Sequence, residues 1–115
     1  MSVKLIKATQ GVARKISNSY EVTNFLTREY SKNVSLAISK AMDHKEVTAN
    51  RSSDRVYYVL EGVLNVKFGN EKMEARAGDT VFIPKNTQYY FGGSFKAVLI
   101  NSPAFKPQDE QTLEK

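Results

Sequence analysis

Val56-Tyr57-Tyr58-Val59-Leu60-Glu61-Gly62 is a run of β-branched and aromatic residues closed by a glycine. Polar residues precede it and Glu61-Gly62 stops it, the pattern of a strand covered on both faces. Downstream, Leu64, Val66 and Phe68 alternate with Val63, Asn65 and Lys67 until Gly69-Asn70 supplies a turn, so a hairpin returning through Met73 and Ala75 is expected. Ala77-Gly78-Asp79 marks a further turn, Thr80 to Ile83 a short strand and Pro84 its end. Thr87 to Phe91 reads as another strand, Gly92-Gly93 as a break, and Lys96 to Asn101 as a strand with Val98 and Ile100 set against Ala97 and Leu99. Upstream, Val34, Leu36 and Ile38 stand at strand period. Between Glu21 and Tyr30 a helical face is conceivable, but Val22, Thr23 and Thr27 are β-formers and favour strand or loop. The tail after Pro107 is polar and reads as a frayed end or a short helix. Short strands at close, regular spacing favour an antiparallel sandwich or barrel over a β-α-β arrangement.

The chain has 115 residues, 41% of them hydrophobic, which suits one domain with a modest core. It has no cysteine, so disulfides and thiolate zinc sites are excluded. No apolar stretch approaches a membrane span and the N-terminus lacks a secretory pattern, so a cytoplasmic protein without membrane contact is expected. The net charge of +5 invites a nucleic-acid partner. The lysines are scattered singly among acidic and polar residues, however, and the expectation is a solvated surface with no nucleic acid bound.

Two motifs carry a resemblance to a known family. Gly78, five residues, Pro84, four residues, Tyr89, three residues and Gly93 follow the spacing of the second cupin motif, with Tyr89 where histidine is usual and Gly93 where asparagine is usual. Arg55-Val-Tyr-Tyr-Val-Leu-Glu-Gly62 is similar to the end of the first cupin motif, with Arg55 at the carboxylate position. The chain thus resembles the cupins, over roughly residues 34–101. The resemblance implies an all-β, cupin-type double-stranded β-helix (a jelly-roll barrel) as a single domain over residues 1–115, with N-terminal strands within 1–33 and a polar tail at 106–115. It also implies a homodimer paired through edge strands and the N-terminal segment. By the family's spacing, the usual His-x-His pair falls on Ala49 and Arg51, or on Thr48 and Asn50 if the gap is one residue longer. None of these is a normal metal ligand, and a guanidinium repels a cation, so no metal and no other cofactor is expected.

The resemblance points Arg51, Arg55 and Tyr89 into the barrel, and alternation adds Tyr57 and Phe91 to the same side, with Tyr58 and Tyr90 facing away. These five are the candidate ligand-binding residues. Arg55, with Arg51, would bind a carboxylate or phosphate of a small molecule while Tyr89 donates from its phenol. Alternatively Arg55 pairs internally with Asp54, Asp79 or Glu61, or lies exposed. His44, the only histidine, sits between Asp43 and Glu46 and reads as a solvent-facing loop residue. No nucleophilic triad or phosphate loop is legible, and no catalytic residue is assigned. The functional expectation is a metal-independent cupin that binds a small polar or anionic molecule. A metal-independent sugar isomerase or epimerase is the alternative, and a metal-dependent dioxygenase ranks below both.

Overall fold

A computed structural model describes residues 3–113. Eight strands follow in chain order: β1 (Val12–Ser17), β2 (Tyr20–Leu26), β3 (Ser35–Asn50), β4 (Asp54–Phe68), β5 (Glu71–Arg76), β6 (Thr80–Ile83), β7 (Tyr89–Ser102) and β8 (Glu110–Leu113), with single 3-10 turns at Ala8–Gln10 and Pro107–Asp109. Among the described residues no helix is long and apolar enough to cross a membrane. All pairings are antiparallel, in the order β1-β2-β3-β7-β4-β5, with β6 added to β4 and β8 to β3. This is the expected all-β jelly roll.

Three long strands make the barrel. β7 pairs with β3 on one side and with β4 on the other. The free edge of β3 changes partner from β2 to β8 along its length, and that of β4 from β6 to β5. A strand that serves two sheets must bend, and both strands do so at bulges. In β4 the register against β7 shifts between Val59 and Glu61, next to Gly62 at φ +76°. A Cβ there would collide with the carbonyl oxygen of Ser94, so only glycine allows the close crossing of β7. Gly62 is therefore a mid-strand bend and not a strand end, whereas Gly78, at φ +93°, does sit in a turn before β6.

The second bulge places the chemistry. Along β3, Ser35, Ala37, Ser39 and Ala41 point inward, and the larger Leu36 and Ile38 lie half-buried on the outer side. Between Ala41 and His44 the register against β7 shifts, with Asp43 in the left-handed region at φ +48°, which aspartate tolerates better than most residues. The parity of the strand is thereby reversed. His44, Glu46, Thr48 and Asn50 now face inward. Small residues inward on the first half of β3 leave space, and polar residues inward on the second half give that space its character.

The core comprises Tyr57, Val59, Leu64, Val66, Tyr89, Phe91, Phe95, Ala97 and their neighbours. Tyr58 is 43% exposed, and Tyr90, half-buried, has the Lys67 ammonium 4.7 Å above its ring, so both face away from the interior as alternation requires. The β4–β5 hairpin turns at Gly69-Asn70, with Phe68 opposite Glu71. The segment at 21–30 forms β2 and then a turn, as its β-formers favoured. Two expectations are corrected. Gly92-Gly93 does not break a strand, because β7 runs through both, and it starts at Tyr89, not at Thr87. Through Leu113 the polar tail is a strand after one 3-10 turn, with β8 pairing to Val47–Asn50 of β3, and its last two residues lie outside the described residues.

Candidate functional site

A cavity of about 240 Å³ opens inside the barrel between β1, β2, β3, β4, β7 and β8. Ser35 and Ala37 make room for it, Tyr20, Tyr57, Phe91 and Leu99 wall it, and Glu46, Arg55, Asn101 and Glu110 supply polar groups. Arg14 stands at its rim on β1, an exposed strand. The volume lies just below the usual range for small-molecule pockets, about 300–1,000 Å³, so the cavity suits a molecule no larger than a monosaccharide or a nucleoside.

Arg55 is the hub of one wall. It is 4% exposed, and each of its three guanidinium nitrogens donates to the protein. Nε donates to Asn101 Oδ1 at 2.9 Å, Nη1 to the Tyr89 hydroxyl at 3.1 Å and to Glu110 Oε2 at 3.0 Å, and Nη2 to Glu110 Oε1 at 2.7 Å. Burying a guanidinium this deeply is unfavourable unless an anion matches it, and Glu110 does so bidentately. Burial alone would raise the Glu110 carboxyl pKa, but the hydrogen bonds and charge of Arg55, with help from Asn50 and Thr48, hold it below the ordinary value. The anticipated internal partners of Arg55 are not the ones used. Asp54 accepts from the Lys85 backbone N–H and Asp79 from that of Arg76, while the real partner comes from the tail.

Tyr57 and Tyr89 lie beside this hub with hydroxyls 2.6 Å apart. Burial raises the pKa of both phenols, so they stay protonated and act as hydrogen-bond groups, not as bases. Phe91 packs against both rings at 6.0 Å and is 2% exposed.

The opposite wall holds a group that sequence reasoning missed. His44 is 5% exposed, not a solvent-facing loop residue, because the bulge at Met42-Asp43 turns it inward. Its ring stacks on Tyr20 at 4.7 Å. Nε2 lies 2.7 Å from Glu46 Oε1 and Nδ1 lies 2.7 Å from the Ser19 hydroxyl. A ring that donates from Nε2 to Glu46 has Nδ1 free to accept from the Ser19 hydroxyl. The other Glu46 oxygen accepts from Thr112 Oγ1 at 3.1 Å. A carboxylate that borders the cavity is thus backed by an imidazole, a pairing able to take up and release a proton. The pattern His44-x-Glu46-x-Thr48-x-Asn50, polar at period two, was the available signal.

Of the expected site residues, Arg55, Tyr57, Tyr89 and Phe91 come together, and Arg51 does not. Arg51 is exposed in the turn after β3, where its backbone N–H bonds to the Asp109 carbonyl. Thr48 and Asn50 are the inward pair instead, with Thr48 Oγ1 2.9 Å from Glu110 Oε2 and Asn50 Nδ2 2.9 Å from Glu110 Oε1. By the spacing of the resemblance, with the inward pair taken for the His-x-His positions, the expected ligand positions are Thr48, Asn50, Arg55 and Tyr89. They offer a hydroxyl, an amide, a guanidinium and a phenol, and a carboxylate sits among them. That set does not fit a metal cation, since its one charge is positive and fixed. Among the described residues no three His, Asp or Glu side chains gather to hold a metal elsewhere.

The family "Ethanolamine utilisation protein EutQ" matches residues 1–104. An uncharacterised protein of Methanocaldococcus jannaschii, MJ1618, is 32% identical over 80 residues, 66% of this chain; the match covers 61% of the length of that relative. Among solved structures, Pac13 of Streptomyces, a nucleoside dehydratase determined with uridine, superposes with a TM-score of 0.85 over 99% of this chain and 93% of its own, at 23% identity. The Clostridium difficile EutQ protein superposes at 0.69 over 74% of this chain and 63% of its own, at 21% identity. On the match of residues 1–104, together with the barrel, the chain belongs to the EutQ family of cupin-fold proteins.

Proposed function

We propose that this protein is a metal-independent cupin that binds a small polar, hydroxyl-bearing molecule in its barrel and transfers protons on it. The observation that carries the reading is the buried Glu46–His44 pair on one wall of the cavity, across from Tyr57 on the other. Glu46 is the general base, His44 stabilises it and shares the proton, and Tyr57 is the neutral donor, its hydroxyl ordered by Tyr89 and Arg55. A base and an acid on opposite walls suit removal of a C–H proton with loss of a hydroxyl group, or its return to another carbon. Pac13 supports the first outcome, as a nucleoside dehydratase whose uridine complexes include variants altered at one histidine and at either of two tyrosines.

The anchor anticipated for an anion is satisfied internally, because Glu110 neutralises Arg55. In this conformation the cavity offers hydrogen bonds and apolar walls to a neutral ligand. Calorimetric titration with uridine and with neutral monosaccharides, followed by mass spectrometry for loss of one water, tests the reading. At least one such compound binds, and Glu46→Gln keeps the binding while losing turnover. A panel that fails to bind sinks the proposal, as does turnover that disappears on chelation and returns with iron, manganese or zinc.

A further inference from the structure

The four donors around Glu110 form a receptor for a carboxylate. Each oxygen of Glu110 receives one bond from the Arg55 fork and one from a side chain of β3: Oε1 from Nη2 and Asn50, Oε2 from Nη1 and Thr48, all between 2.7 and 3.0 Å. Two oxygens, each doubly donated, match a carboxylate and not a spherical anion; an arginine fork alone takes phosphate as readily, so the Thr48 and Asn50 donors carry the preference for a carboxylate. All four donors belong to three residues that are at least 96% shielded from solvent, Thr48, Asn50 and Arg55, and Arg55 also borders the cavity.

The group that fills this receptor sits on a short strand. β8 has four residues, and Gln111 and Thr112 are exposed. Besides the bonds of Glu110, its contacts include pairing with Val47–Asn50, Thr48 to the Gln111 carbonyl, Thr112 to Glu46, and Ser52 to the Asp109 carboxylate just before it. Water can replace each of these polar contacts when the strand opens. The donors around Arg55 cannot be rehydrated as easily. Once Glu110 leaves, a buried and uncompensated guanidinium faces the cavity, and an anion must replace it.

We propose that Thr48, Asn50 and Arg55 form a carboxylate-binding subsite, that Glu110 occupies it as an internal stand-in, and that β8 leaves when a small carboxylic acid enters the cavity. The subsite stands on its own geometry and does not depend on proton transfer by Glu46. It makes the charge class of the ligand a property of β8: neutral molecules bind with the strand docked, carboxylates with it displaced.

Acetate is the probe, with chloride at equal ionic strength as control and inorganic phosphate as the competing anion. Thermal unfolding is followed for wild type, Glu110→Ala and Glu110→Gln in the full chain. Acetate stabilises Glu110→Ala saturably, with an apparent affinity at least about tenfold above that for wild type, and chloride and phosphate do not. Glu110→Gln, which keeps the bulk but not the charge, falls between, and it decides the matter if Glu110→Ala does not fold. Equal responses to acetate and chloride, or no difference between variants and wild type, overturn the subsite. For the strand, amide hydrogen exchange in wild type at saturating acetate shows faster exchange at residues 110–113. Acetate binding with unchanged exchange there overturns the displacement.

Discussion

The hydroxyls of Tyr57 and Tyr89 are 2.6 Å apart inside the barrel, and only Tyr89 has a second partner, Arg55 Nη1 at 3.1 Å. The two phenols are therefore not equivalent. Tyr57→Phe leaves Tyr89 bonded to Arg55 and costs about 1 kcal/mol, whereas Tyr89→Phe strands the fully shielded Tyr57 hydroxyl and costs roughly 2–3 kcal/mol. Urea unfolding of the two variants checks the order, and equal losses would refute it.

Alkaline behaviour follows from the same residues. Burial raises the pKa of Tyr20, Tyr57 and Tyr89 above the ordinary value of 10.0. In the unfolded chain these phenols lose their protons near that value, and in the folded barrel they do not. Their contribution to stability is complete below pH 10 and is lost as pH rises toward the folded values. Ultraviolet titration of the phenolate band should show three of the six tyrosines ionising only as the protein unfolds. Reversible ionisation of all six in a still-folded protein would contradict the burial.

At the acid end the sign is opposite. Glu110 is held below its ordinary value of 4.5, so the unfolded chain takes up this proton first as pH falls. The stabilisation is full above about pH 4.5 and declines as pH falls toward the folded value. Glu110→Gln lowers stability at neutral pH by roughly 3 kcal/mol, since it leaves Arg55 without its anion, and it flattens the acid slope. A wild-type slope retained in the variant would place that titration elsewhere.

His44 is the only histidine, which makes its proton visible without assignment. Nitrogen-15 spectra of the labelled imidazole should show the neutral ring protonated at Nε2, facing Glu46 at 2.7 Å, with Nδ1 bonded to Ser19. Glu46→Gln weakens that preference, and Ser19→Ala leaves it intact. A neutral ring protonated at Nδ1 in wild type would reverse the roles assigned to both partners.

Much of this was legible in the sequence. The Gly78-to-Pro84 spacing, the Gly69-Asn70 turn and the alternation of Arg55, Tyr57, Tyr89 and Phe91 fixed the barrel and one wall of its cavity, because strand parity is a local property. Two things escaped. His44 and Glu46 sit beyond a bulge, and a single extra residue reverses parity without any change in composition. Glu110 reaches Arg55 across 55 residues of chain, and nothing near it in a polar tail records that contact. The sequence suggested an arginine in need of an anion and looked for it in a ligand. The protein brings one of its own.

The bulge at Met42-Asp43 has one more consequence. Deleting one of these two residues would straighten β3 and turn its second half over, so that Lys45, Val47 and Ala49 would point into the barrel while His44, Glu46, Thr48 and Asn50 looked out. No inward-facing side chain would have been substituted, yet the interior would exchange a base, its imidazole and an anion receptor for two apolar residues and a lysine. The identity of the pocket is thus written in chain length as much as in residue type, and scanning substitutions one by one would never encounter that variable.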